Sequence, residues 1–348
     1  MRAFPVIPGA VRAGGHDWTI ERIWPPRDDD PRLPLEARAG DRVRGGHADA
    51  GGTVTLLAPE GDPALPALAA LAREGQVVAH RPARRAVVRL SGGRGYAKAV
   101  RRGRGRDVRD AHERGRGFAA GFAVPDITSD SPDVVCFRAL PGRSVAALGE
   151  DPRVAEAEWA ALWRSWEGAW LAAMAGGSPD GLPEWGTRDE GEVIRGWARH
   201  ASAQFGGEEG ILHAAERVVA RLSAAGPASA LAHRDLHDGQ LIWDAGTGIG
   251  LIDLDTCARA DPGLDLGNLA AHIDFAVRQR RWSPARAQVA MRSVVQTAGD
   301  LGVDAERLAA WHLAARFRVA CVNALRPRWR RTARAELADI EATTLRLV

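Results

Sequence analysis

The stretch Leu231–Leu269, LAHRDLHDGQLIWDAGTGIGLIDLDTCARADPGLDLGNL, constrains this chain more than any other part of it. Two short apolar runs, Leu241–Trp243 and Ile249–Ile252, flank the turn-forming segment Asp244-Ala-Gly-Thr-Gly248. That pattern reads as a β-hairpin. With its centre near Gly246, the hairpin brings Gln240 and Asp253 to face each other at its open end. Asp235 lies five residues before Gln240, in the loop that enters the hairpin. Each of these residues means little alone, since a single Asp after an apolar strand occurs in any fold. Together, three oxygen-bearing side chains in one small region suit phosphoryl transfer. That reaction asks for Mg²⁺ to neutralise phosphate oxygens and for a carboxylate to orient the attacking hydroxyl and take its proton. Mg²⁺ prefers oxygen ligands and keeps several waters, so one carboxylate and one amide oxygen suffice.

The reaction also asks for a cation on the nucleotide phosphates, and here composition helps. Lys and Arg total 47, yet Lys98 is the sole lysine. Where Arg has replaced Lys everywhere else, the surviving lysine marks a place where a compact ammonium on a flexible stem differs in effect from a planar fork. Lys98 lies in the strand-like run Tyr96–Val100, after the turn Ser91-Gly-Gly-Arg-Gly95.

With 348 residues, 45% hydrophobic and 26% charged, the chain has the balance of a globular protein of two domains or one two-lobed unit. No apolar run approaches the roughly 18 residues of a membrane span. Pro5 and Pro8 break the N-terminus, so it lacks a secretory core. These features point to a cytoplasmic protein with no membrane partner. Cys136, Cys257 and Cys321 are scattered, which excludes a disulfide framework or a zinc site and leaves reduced, mostly buried thiols.

Residues 1–75, rich in Pro, Gly and Asp, read as an N-terminal extension packing on the next unit, with one strand at Thr53–Ala58 and a short helix at Ala64–Arg73. Val77–His80, Ala86–Leu90 and Tyr96–Val100 form an antiparallel meander. A helix comes next over Asp107–Phe122, weakened by Gly115, Gly117 and Gly121, and then a strand at Val134–Phe137. Residues 76–140 thus make a small N-lobe, and Ala139–Gly142 a linker. From residue 141 the chain turns helical, with helices over Val154–Met174, Glu190–Gln204, Gly210–Ala225, Leu266–Arg280, Pro284–Leu301, Ala305–Leu325 and Arg331–Leu347. In the first of these, Trp159, Trp163, Trp166 and Trp170 fall on one face at helical spacing, the pattern of a core stripe.

H-R-D-L-x-x-x-Q followed by I-D-L-D resembles the catalytic loop and metal motif of the protein-kinase-like fold. The closer resemblance is to the aminoglycoside phosphotransferase and choline kinase superfamily. That resemblance rests also on Asp261-Pro-Gly-Leu-Asp265-Leu, on Tyr96-Ala-Lys98 and on Arg138-Ala-Leu-Pro-Gly-Arg143, in the family's order over residues 76–275. It implies an α+β, two-lobed protein-kinase-like fold and a kinase that uses ATP and Mg²⁺ on a small hydroxylated acceptor. It implies Asp235 as catalytic base, Asp253 and Gln240 as Mg²⁺ ligands with Asp255 assisting, and Lys98 on the α/β-phosphates. Glu113, or failing it Asp110, would pair with Lys98 from the N-lobe helix, and His233 and Asp265 would brace the catalytic loop.

The chain departs from the family pattern in three places. Gln240 stands where Asn is usual, a feature shared with maltokinase-like sugar kinases. The nucleotide loop His80-Arg-Pro-Ala-Arg-Arg85 has no glycine, so Arg81, Arg84 or Arg85 would bind phosphate instead of backbone N–H groups. Gly115 and Gly117 interrupt the helix of Glu113. The alternative these departures support is a catalytically inactive, kinase-like ligand-binding protein. His237 and Asp238 read as exposed loop residues. The arginine runs Arg101–Arg106 and Arg326–Arg331 read as solvated or phosphate-facing surfaces; with a net charge of only +3, nucleic acid is not an expected partner. A polycationic acceptor calls for carboxylates around it. Residues 143–232 carry 13 acids and 8 Arg, residues 278–348 carry 6 acids and 14 Arg, so the acceptor class depends on which segment lines the site. The oligomeric state stays open between monomer and homodimer.

Overall fold

Gly14 and Gly15 both take positive φ, +56° and +77°, and Ala13 pairs with His16 across them. This is the two-residue hairpin turn whose twist suits flanking strands. In the computed structural model, which describes residues 4–346 except 28, 29, 60 and 94, that turn opens a five-stranded antiparallel sheet. Its strands are β1 (Ala10–Ala13), β2 (His16–Ile23), β3 (Leu33–Ala39), β4 (Arg42–Ala48) and β5 (Val54–Leu56), in sequential order. The expectation of a single strand in this region falls short by four. Trp18, Ile20, Leu35 and Ala37 form its core face, a period-two signal that a proline in β3 and paired glycines in β4 dilute. Arg94 of the expected turn and Leu347 of the last expected helix lie outside the described residues.

The sheet is welded to the rest of the chain. Glu36, on β3, accepts the backbone N–H of His80 at 2.6 Å. The His80 ring accepts the N–H of Gly45 at 3.0 Å and meets Asp62 at 2.9 Å. A Cβ on Gly45 would come within 2.9 Å of that ring, so only glycine permits the contact. The sheet also reaches the helical half: the N–H of Phe4 donates to the carbonyl of Ala203 at 3.3 Å, and Leu325 joins the sheet's apolar cluster.

After α1 (Leu68–Glu74), strands β6 (Gly75–Arg81), β7 (Arg85–Leu90) and β8 (Gly95–Val100) form the expected meander. Helix α2 (Gly105–Gly115) continues as a 3₁₀ turn over Arg116–Ala120. Strands β9 (Ile127–Asp130) and β10 (Val134–Phe137) complete a second antiparallel sheet, ordered β6-β7-β8-β10-β9. Alternation decides its two faces. Ala97 and Ala99 turn toward α1 with Leu68 and Leu71, leaving Lys98 on the other face.

The remaining chain is mainly helical. It runs through β11 (Arg143–Ser144), α3 (Val145–Glu150), α4 (Glu156–Gly176), α5 (Thr187–Gln204), α6 (Glu209–Arg221), β12 (Ala230–Ala232), β13 (Leu241–Asp244), β14 (Gly248–Leu251), β15 (Ala258–Ala260), α7 (Gly263–Arg278), α8 (Pro284–Asp300), α9 (Ala305–Ala324) and α10 (Arg330–Arg346). The short α3 is too brief to show a helical period; Ser144 caps it by accepting the N–H of Ala147. The four indoles of α4 are all 1% exposed or less. They form a chain of ring contacts that Trp282 extends, 4.9 Å from Trp159. This stripe is the centre of the largest core cluster, as the spacing predicts. We expect Trp163→Ala to cost about 3–5 kcal/mol, read as a drop in the urea midpoint with little change in slope.

No helix among the described residues is long and apolar enough to cross a membrane.

Candidate active site

Asp265, in the first turn of α7, organises the loop after β12. Its carboxylate accepts the N–H of His233 at 2.6 Å and the N–H of Arg234 at 2.8 Å. Arg234 sits at φ +68°, a region unfavourable for a side-chain-bearing residue. Two amide bonds to one buried carboxylate hold the turn there. Burial raises the pKa of Asp265, against the opposing pull of His233 and both N–H donors. His233 carries the order one step further. Its Nε2 faces the carbonyl of Ile252 at 2.9 Å, which makes Nε2 the donor and leaves Nδ1 to accept the N–H of Asp235 at 3.3 Å. Thr256 Oγ1 donates to the carbonyl of His233, and Asn268 Nδ2 to that of Leu236 at 2.8 Å. Sequence reasoning missed both braces; that Asn268 is one of two asparagines in the chain was the available signal.

The hairpin forms as expected, but its register places the ligating residues differently. Leu241 pairs with Leu251, so Gln240 lies opposite Ile252, whose N–H donates to its carbonyl at 3.0 Å. Asp253 is one residue beyond. It takes a left-handed conformation, φ +62° and ψ +53°, and there meets the N-lobe: Lys98 Nζ donates to Asp253 at 2.8 Å and to Asp255 at 2.5 Å. Arg85 Nη2 stands 3.8 Å from Asp253. Burial opposes ionisation of Asp253, yet Lys98 and Arg85 outweigh it and hold the carboxyl below the usual range. Burial likewise works against the Lys98 ammonium, and Asp253 and Asp255 together overcome it and raise its pKa. Lys98 thus ties the second sheet to the hairpin's outlet across a span of 155 residues in sequence.

Glu113 does not pair with Lys98. Its nearest cationic partner is Arg116 at 3.9 Å, and its side chain is 52% exposed; Asp110 turns outward to Arg109 and Arg106. The helix phase explains this. α2 faces the cleft with His112, whose Nε2 meets the carbonyl of Pro125 at 2.8 Å, and the next residue lies about 100° round the helix. The glycine expected to weaken this helix is its packing point. A Cβ on Gly115 would meet Leu254 at 2.8 Å and Cys257 Sγ at 2.9 Å, so the helix sits directly against the turn that carries Asp255. The carboxylates beside Lys98 are therefore Asp253 and Asp255, with none from α2.

The glycine-free turn between β6 and β7 is held by Ala83 at φ +55°, whose N–H donates to Asp62 at 2.8 Å. It points Arg81 and Arg85 into the cleft, while Arg84 lies outside the cavity lining. Burial, with help from Arg84 and Arg85, pushes the Arg81 pKa down to about 10.

One cavity of about 980 Å³ holds Lys98, Arg81, Arg85, Asp235, Gln240, Asp253 and Asp255 together. His237 and Asp238, expected as exposed loop residues, line it too. Asp238 is buried, its charge met by Arg281 at 3.3 Å, and the His237 ring stacks on His272 at 4.8 Å. The cavity extends past Asp235 to residues from the basic C-terminal segment (Arg281, Arg318, Arg326, Arg328) and to Glu21, Arg22, Trp24 and Glu36 of the N-terminal sheet. The acidic segment 143–232 contributes a single carboxylate, Glu150.

A sequence model of the phosphotransferase enzyme family matches residues 22–311. Among curated proteins none matches the chain significantly. Solved structures share the fold. A thermostable mutant of an aminoglycoside phosphotransferase, in ternary complex with AMP-PNP and hygromycin B, is 17% identical with a TM-score of 0.51, covering 76% of this chain and 91% of that one. An aminoglycoside-3′-phosphotransferase of type VIII is 22% identical with a TM-score of 0.50, covering 72% and 98%. A type I macrolide 2′-phosphotransferase is 18% identical with a TM-score of 0.50, covering 75% and 86%. The architecture is thus the expected α+β, kinase-like one, an antiparallel N-terminal part against a helical C-terminal part, and the matched span takes in both sides of the cleft. This chain belongs to the phosphotransferase enzyme family.

Proposed function

We propose that this protein transfers the γ-phosphate of ATP to a hydroxyl of a small molecule, with Mg²⁺, in the cytoplasm. The observation that carries the reading is the convergence of Lys98, Asp253, Asp255 and Asp235 on one cleft, from segments far apart in sequence. The ternary complex of a fold neighbour with AMP-PNP and hygromycin B supports ATP and a hydroxylated acceptor as its two substrates. We read residues 76–140 as the nucleotide lobe and 141–348 as the lobe of the catalytic loop and acceptor, with 1–75 packed against the nucleotide lobe.

The donor set fits Mg²⁺. It is all oxygen, the preference of a hard cation. Asp255 Oδ1 is buried and has no hydrogen-bond partner among the described residues. The Gln240 side chain, 9% exposed, makes no hydrogen bond among them either. Asp253, Gln240 and Asp255 would hold the ion, which when bound neutralises phosphate charge. Lys98 binds the α/β-phosphates, with Arg81 and Arg85 at the mouth of the nucleotide side. Asp235, set by the His233 ring, orients the acceptor hydroxyl and accepts its proton as the hydroxyl oxygen bonds to the γ-phosphorus. The bond from that phosphorus to the bridging oxygen breaks, and ADP leaves with the electron pair.

The test is ADP release from Mg-ATP with aminoglycosides, amino sugars, disaccharides, choline and homoserine as acceptors. Turnover with one class supports the reading; silence together with no calorimetric binding of Mg-AMP-PNP refutes it in favour of a non-catalytic binding protein. Gln240→Asn keeps an amide oxygen on a shorter stem, so kcat should stay within about tenfold of the parent, whereas Gln240→Ala should lose about 100-fold. Equal losses in both variants would remove Gln240 from the ligand set.

A further inference from the structure

The acceptor side of the cleft holds five arginines, and four of them are engaged. Arg281 meets Glu150 at 2.5 Å and Asp238 at 3.3 Å. Arg318 donates to Asn268 Oδ1 at 2.7 Å and stands 3.2 Å from Glu190. Arg22 stands 3.7 Å from Glu36, and Arg328 lies over the Trp329 ring at 4.5 Å. Arg326 differs. It lies just past α9, lines the cavity, and its one side-chain hydrogen bond among the described residues goes to the neutral Asn323 Oδ1 at 3.2 Å. No carboxylate among those residues lies within ion-pair distance of it.

Arg326 is half-buried, and a guanidinium drawn partly out of water without a counter-charge favours an anion that completes it. Burial, the largest influence, pushes its pKa down to about 10. Arg22 and Arg281 add to that effect, and Glu36 and Glu21 oppose it. Arg281 is met by Glu150 and Asp238 and Arg22 by Glu36, whereas Arg326 has no carboxylate of its own among the described residues. A planar fork that no carboxylate pairs matches a carboxylate of the ligand, which it can bind through two parallel hydrogen bonds.

We propose that the acceptor is an anionic hydroxy compound, its anionic group seated on Arg326 while its hydroxyl faces Asp235. The proposal rests on the phosphotransferase reading and narrows it: polycationic acceptors meet the wrong sign here.

The experiment compares matched pairs, D-gluconate with D-sorbitol and D-galacturonate with D-galactose, beside D-glucosamine as a cation. ADP release is measured with Mg-ATP, and binding is measured separately by calorimetry in the presence of Mg-AMP-PNP. Each acid should bind about 30-fold tighter than its neutral twin, the scale of a charged hydrogen bond. Arg326→Gln should erase that difference and leave the neutral twin unaffected; Arg326→Lys, which keeps the charge but not the fork, should restore part of it. Neutral or cationic members that bind as well as the acids, no acid binding at all, or a preference that survives Arg326→Gln would each overturn the proposal. An acid that binds through Arg326 while no acceptor yields ADP and Mg-AMP-PNP itself does not bind would instead keep the anion site and refute the phosphotransferase reading.

Discussion

Asp235→Asn should lower kcat by about 10²- to 10⁴-fold, the usual weight of a positioned general base, and leave the calorimetric affinity for Mg-AMP-PNP within about threefold of the parent. Asn is nearly the same size and still fits the loop, whose shape is set elsewhere: Asp265 holds the backbone of His233 and Arg234, and the His233 ring receives the N–H of residue 235, a contact the substitution does not touch. What is lost is the ability to take the hydroxyl proton. The kcat effect should therefore be nearly independent of acceptor concentration. Full turnover in this variant would remove Asp235 from the reaction, and a loss of nucleotide affinity as large as the loss of kcat would make it a binding residue.

Lys98 carries the second large effect, and two substitutions separate its two contributions. Lys98→Arg keeps a positive charge but replaces a compact ammonium by a wide planar fork. The site is tight: Nζ lies 2.8 Å from Asp253 and 2.5 Å from Asp255, and the residue is 8% exposed. We expect kcat/KM for ATP to fall by about 100-fold with the melting temperature nearly kept, the mark of misplaced phosphate contacts. Lys98→Met removes the charge and leaves two carboxylates facing each other, which should destabilise the fold by about 3 kcal/mol. Millimolar Mg²⁺ should recover part of that loss if those carboxylates form its site. A thermal scan with and without Mg²⁺ reads this directly. Parent-like kinetics in Lys98→Arg would show that any cation serves, and that the single lysine marks nothing.

These outcomes depend on residues whose placement the sequence made legible to different degrees. The Asp235 loop, the hairpin and Asp265 were readable because the contacts that form them are local or lie at fixed offsets. Turn chemistry at Asp244–Gly248 closes the hairpin, and Asp265 sits at the start of a helix a fixed distance downstream. The fine register was not readable, because a one-residue shift leaves the apolar character of β13 and β14 intact; the left-handed turn at Asp253 lies where Lys98 meets both carboxylates. Glu113 failed for a related reason. The phase of α2 is fixed where it starts, by the N–H of Gly105 on the carbonyl of Pro132 at 2.9 Å, a contact with the turn between β9 and β10, 27 residues later. Arg326 read as part of a surface run because a count of arginines says nothing about which one turns inward. The N-terminal sheet was the largest gap. Its Gly14-Gly15 turn was a usable signal, but its value to the site comes from docking, which no window of sequence contains.

That docking has a mechanical consequence. Two bodies joined by one short linker swing freely about it, and a cleft between them opens by rotation. Here Lys98 and the packing of α2 at Gly115 already tie the two together, and the N-terminal sheet adds a further join: it grips β6 through Glu36 and His80 and the helical half through Phe4 and Leu325. The molecule is therefore a closed linkage rather than a jaw. Wide opening requires one of the sheet's two grips to come apart, together with the contacts of Lys98 and α2. Freeing the apolar grip of a side chain such as Leu325 costs about 1.5–3 kcal/mol, so at rest the spacing across the cleft is held near one value. Such a frame gains rigidity in the distance across the cleft, and gives up the capacity to admit ligands of widely different size.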